Sequence, residues 1–99
     1  MSEMPSRADF AAHTGEPFLI RFDSGETLPL TLATVRNLGD HKMGDATIES
    51  FALDFHGPLQ PILSQQTYPL QHATLGELLI FIVPVGPDAG VMQYEAVFG

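Results

Sequence analysis

The chain has 99 residues, 44% of them hydrophobic, and no cysteine. That composition describes one globular domain with a modest core, and it excludes a disulfide framework and a cysteine-based zinc site. Twelve acidic against four basic residues give a formal charge of −8, and Arg7, Arg21, Arg36 and Lys42 are scattered, so no basic patch serves nucleic acid or an anionic membrane.

Residues 1–99 read as a single small β-domain, with residues 1–6 expected to be a flexible N-terminus. The start lacks a charged segment followed by an apolar run, so it does not read as a signal peptide. The longest apolar run, Leu78 to Val83, is too short to span a bilayer. Together with the absence of cysteine, this makes a cytoplasmic location the expectation. Ser6 is a good N-cap, and Asp9 completes an imperfect capping box. A short helix is expected over Ala8 to His13, anchored by Phe10 and ended by Gly15 and the Glu16-Pro17 pair.

Strands follow. "FLIRF" places Phe18, Ile20 and Phe22 on one face and Arg21 on the other. Asp23 to Glu26 is turn chemistry. "TLPLTLATVRNL" aligns Leu28, Leu30 and Leu32, then shifts to Val35, which predicts a bulge near Ala33 or Thr34. Pro29 lacks a donor, so this strand starts late or lies at an edge. Gly39 to Asp45 reads as a polar loop. "TIESFALDF" places Phe51, Leu53 and Phe55 on one face.

"HGPLQPILSQ", residues 56–65, is irregular, with two prolines among Leu59, Ile62 and Leu63. "QTYPL" is a short strand carrying Tyr68 and Leu70, and "HATLG" is a turn with Leu75 tucked in. "ELLIFIV" is apolar on both faces, which predicts a central strand covered on both sides. "MQYEAVF" turns Met92, Tyr94, Ala96 and Phe98 inward. Between these last two strands, Gly86-Pro87-Asp88-Ala89 fits a type I turn, and Gly90 is placed to take a positive φ. About six strands bounded by turns make an all-β fold, a small antiparallel β-barrel or sandwich with a short N-terminal helix.

Chemistry is sparse. His13, His41, His56 and His72 lie far apart in sequence, so no metal site is assigned. Asp40, His41 and Asp45 lack the alternating oxygens of a calcium loop. No serine sits in a nucleophile elbow, and no glycine loop is built for phosphate or dinucleotide. No catalytic residue and no cofactor is therefore expected. A cluster of His56, His72 and Tyr68 around a cavity would favour ligand binding or an enzyme. The candidate docking residues are Leu59, Ile62 and Leu63, apolar side chains on a loop stiffened by Pro58 and Pro61. They would face a protein partner or fold back as a lid.

The segments "GEPFLIRF", "FALDFHGP" and "QTYPLQHATLGELLIFIVPVGPDAGVMQYEAVF" together resemble a bacterial family of small uncharacterised all-β proteins. The matching pattern includes Tyr68, His72, Leu75, Gly76, Phe81, Pro84, Tyr94, Glu95 and Phe98, and the likeness runs over most of the chain from Phe10 on. The resemblance implies companionship with phage-tail-collar-type proteins and an accessory or assembly role in a tail-like structure. It implies no activity. The leading expectation is a non-catalytic protein-protein interaction module. The alternative is a small barrel binding an apolar or sugar-like ligand.

Overall fold

Ser6 opens the described architecture as a cap: its hydroxyl accepts from the Asp9 amide while the Asp9 carboxylate accepts from the Ser6 amide. The computed structural model describes residues 4–98 of the chain. Of the segment expected to be flexible, residues 1–3 lie outside the described residues, and Ser6 is fixed by its capping box. The helix that follows, α1 (Arg7–Ala11), is short, and its one buried side chain is Phe10.

Six strands follow in chain order: β1 (Pro17–Arg21), β2 (Thr27–Met43), β3 (Ala46–Gly57), β4 (Gln66–His72), β5 (Gly76–Asp88) and β6 (Val91–Phe98). All neighbours pair antiparallel in the order β1-β2-β3-β6-β5-β4. The sheet then closes on itself where β1 meets β4, at Leu19↔Gln71 and Ile20↔Leu70. The all-β expectation holds, as one sheet bent into a ring.

Alternation explains the interior. Phe18 and Ile20, Leu30 and Leu32, Leu53 and Phe55, Ile80 and Ile82, and Tyr94 are all fully buried. Each contributes about 1.5–3 kcal/mol by leaving water. Phe10 closes one end of the ring by packing its face near Phe18, Phe51 and Phe98, at centroid distances of 6.3, 6.0 and 5.7 Å. Gly57 sits where a Cβ would lie 2.7 Å from Leu30 Cδ2, so a larger residue there would push the Leu30 side chain aside in the core.

The bulge expected near Ala33 is present as a register shift between Leu32 and Thr34. Pro29 pairs with Leu19 in mid-strand, yet costs no ladder bond. Phe22 donates to Glu26 at 2.9 Å, and the antiparallel alternation from that pair turns Pro29 away from β1. On its other side, pairing with β3 begins only at Thr31.

Three expectations are corrected. Residues 39–45 are not a polar loop: β2 and β3 continue as a two-stranded arm, joined by a tight turn at Gly44-Asp45. Its side chains are mostly exposed, so hydrophobic alternation could not reveal it. β5 is not covered on both sides: Leu79 and Phe81 are 65% and 50% exposed. The final turn is not the type I turn at 86–89. β5 runs on to Asp88, which pairs with Val91, and the turn is Ala89-Gly90 with φ of 50° and 83°. Gly90 does take the positive φ expected of it. Gly86, at 126°, serves a bulge centred on Val85 instead.

Candidate functional site

The segment after β3 closes the end of the ring opposite α1, and it splits the expected docking set. Leu63 is buried, so it leaves the candidate patch and joins the core. Two tyrosines hold the backbone around it: the Leu63 amide donates to Tyr94 Oη at 2.9 Å, and Tyr68 Oη donates to the Ser64 carbonyl at 2.7 Å. Leu59 and Ile62 remain exposed. The segment is thus a lid at Leu63 and a small surface at the other two positions.

A larger apolar surface lies on the outside of β5. Leu79 stands opposite half-buried Pro69 of β4, and Phe81 opposite Thr67. Continuing the Val83↔Glu95 register places Val97, also exposed, across from Phe81 on β6. Beyond Val97 the row runs on to Ala52 and Arg36. Arg36 bonds Asp54 through two nitrogens at 2.7 and 3.0 Å and also reaches Glu95. These carboxylates, Asp54 foremost, hold the guanidinium pKa above its ordinary range. A fixed ion cluster therefore borders the apolar row.

The chemistry-bearing side chains gather elsewhere. Glu16 Oε1 accepts from His13 Nδ1 at 2.9 Å and from His72 Nε2 at 2.7 Å. The His13 and His72 rings lie 4.6 Å apart, and His72 packs on Phe18 at 4.5 Å. His13, Glu16 and His72 offer ligand atoms within 4.8 Å of one another, a spacing that invites a metal. The tautomer argues otherwise. His72 Nδ1 accepts from the amides of Thr74 and Leu75 at 3.0 and 3.1 Å, so its proton sits on Nε2, the atom that faces Glu16. A metal there would need the lone pair that this proton occupies. The donor set suits a hydrogen-bonded clasp and does not fit a metal. The two histidine bonds lower the pKa of Glu16, that to His72 most.

Two open grooves accompany these features. One, of about 340 Å³, runs beside the clasp between Leu19, His72 and Glu77. The other, of about 540 Å³, lies between Met4, Pro5 and Ser6 and the arm residues Asp40, Thr47 and Glu49, with Phe51 and Phe98 at its base. Neither enters the ring. Among the described residues no buried side-chain polar atom lacks a hydrogen-bond partner.

A family model described as Domain of unknown function (DUF6916) matches residues 5–98. The chain belongs to the DUF6916 family. No curated protein and no solved structure matches it. The DUF6916 match covers the helix, the arm and the closing strands alike, consistent with the resemblance in sequence to a family of small β-proteins. Among the described residues no helix is long and apolar enough to cross a membrane.

Within this DUF6916 chain, His56, His72 and Tyr68 do not converge on a cavity. Tyr68 turns to Ser64 and His72 to Glu16. The clasp was partly legible, because His13 and Glu16 stand three apart after a short helix. His72 had no local signal beyond its place before a turn, where its ring takes the amides two and three residues on.

Proposed function

We propose that the protein is a non-catalytic interaction module that docks on a protein partner through the outer face of β5. The observation that supports it is the exposure of Leu79 and Phe81, with Val97 beside them, on a strand whose inner face is already fully used. Large exposed apolar groups grouped on one surface mark interaction sites more often than isolated ones do. Leu59 and Ile62 offer a second, smaller contact at the far end. The packed interior weighs against the ligand-binding alternative, since aromatic and aliphatic side chains occupy the space a ligand would need. The finer parts of the proposal rest on the family resemblance and the composition: a bacterial source, a cytoplasmic location, and a partner belonging to a phage-tail-like assembly.

The test is the double change Leu79→Ser with Phe81→Ser, used as bait against the parent chain. Both side chains face water, so the melting temperature should stay within a few degrees. Partner capture from the native cell should be lost. Unchanged capture would remove this face from consideration.

A further inference from the structure

The arm carries an edge that the ring does not use. β6 pairs with β3 from Phe51 to Gly57 only, so β3 residues 46–50 are paired on the β2 side alone among the described residues. Met43↔Ala46 flanks a two-residue turn, and the ladder's alternation from that pair directs Ile48 and Ser50 toward β2. It directs the backbone N–H and C=O of Thr47 and Glu49 the other way, into the lane that β6 would occupy if it continued. Among the described residues, no backbone bond outside the ladders involves this segment.

The lane opens beside the 540 Å³ groove, whose walls are Thr47, Glu49 and Asp40 and whose base is the Phe51–Phe98 pair, stacked at 4.9 Å. Natural edges are commonly blunted by a lysine, a proline or a bulge. Here the nearby bulge lies in β2, between Asn37 and Gly39, and β3 has none of the three. Charge selects the occupant. Asp40 and Glu49 share one cation, Arg7, at 3.2 and 3.7 Å, and Lys42, opposite Thr47, stands on the same face, so the charges beside the groove balance and the net charge of the whole chain sets the preference. The whole chain carries −8, so a second copy would bring like charge to like charge.

We propose that the edge of β3 at Thr47 and Glu49 takes up an extended, basic segment of a protein partner by strand addition. Main-chain bonds supply the binding and alternate side chains supply the choice, the usual division in strand addition. This surface is separate from the outer face of β5, and either can fail without the other.

A randomised library of peptides about ten residues long is selected on the immobilised full chain. Enriched peptides should be strand formers carrying Lys or Arg, and should shift the amide resonances of Thr47 and Glu49. Thr47→Pro removes a donor that faces the lane and not the ladder, so it should leave the melting curve in place and weaken binding about tenfold. If that variant proves unfolded, the amide map on the parent chain decides by itself. Failure to enrich any peptide, peptides that shift Leu79 and Phe81 instead, or binding unaffected in folded Thr47→Pro would each overturn the proposal. A parent chain that is dimeric in solution, with Thr47 and Glu49 amides protected before peptide is added, would overturn it in favour of a second copy.

Discussion

Glu16 joins two imidazoles through a single oxygen, which makes it the residue whose protonation matters most to the clasp. Its hydrogen bonds with His72 and then His13 favour the ionised form, so its pKa in the folded chain lies below the ordinary 4.5. A carboxylate lowered in this way binds its proton more readily when unfolded. Its stabilisation is therefore fully present above pH 4.5 and is lost as pH falls through the lowered folded value. Glu16→Gln keeps the size and removes the titration. The melting temperature of the parent should exceed that of Glu16→Gln near neutrality, and the two should approach each other as pH falls from about 5 toward 3. A gap that stays constant over that range would show that the charge of Glu16 contributes nothing to stability. Half of this site was readable beforehand. His13 and Glu16 are neighbours three apart, whereas His72 reaches them only because β4 returns to β1 when the ring closes.

The elements divide by how much of their surface is buried. β1, β3 and β6 were legible because Phe18 and Ile20, Leu53 and Phe55, and Tyr94 and Ala96 alternate with residues that face outward. The arm was not, since few of its side chains meet a core and Gly39, Asp40 and Asp45 imitate a loop. β5 misled for the opposite reason: Leu79 and Phe81 are as apolar as their buried neighbours Leu78 and Ile80 yet stand in water. Pro87 drew the expected turn two residues too early, while the hairpin in fact closes on Ala89 and Gly90. Ala89 holds a φ of 50°, where a Cβ is disfavoured by about 1–2 kcal/mol. A two-residue hairpin with both φ positive prefers Asn-Gly. Ala89→Asn should therefore raise stability by about 0.5–1 kcal/mol, read as a higher denaturant midpoint at unchanged slope. An unchanged or lower midpoint would mean that the hairpin is not strained at Ala89. The lid after β3 gives a second contrast. Leu63→Ala should cost about 2–5 kcal/mol because Leu63 is buried beneath its neighbours. Leu59→Ser with Ile62→Ser should change stability by less than about 1 kcal/mol, since both face water. Equal losses from the two variants would place all three side chains in the core.

At the scale of the whole molecule, the ring is only as closed as its seam. β4 pairs with β5 from Gln66↔Ile82 to His72↔Gly76, but with β1 only at Leu19↔Gln71 and Ile20↔Leu70. Side chains extend what the backbone leaves short. The seam's register continues to Phe18 opposite His72, whose rings pack at 4.5 Å, and His72 then bonds Glu16 just before β1. The clasp thus fastens the one junction that brings the first strand to the fourth, a contact that no local pattern encodes. That distance along the chain is why ring closure was the least legible feature of the fold. Amide exchange can read the seam directly. By the alternation that follows from the Phe22–Glu26 bond, the Ile20 amide faces β2 and the Leu19 amide faces β4. Leu19 should exchange faster than Ile20, because a short junction opens without unfolding the ring. Glu16→Gln should speed exchange at Leu19 while leaving Leu53 in β3 unchanged relative to global stability. If Leu19 is protected as long as Leu53 in both chains, the seam opens only when everything does, and the clasp has no separate part in closing the ring.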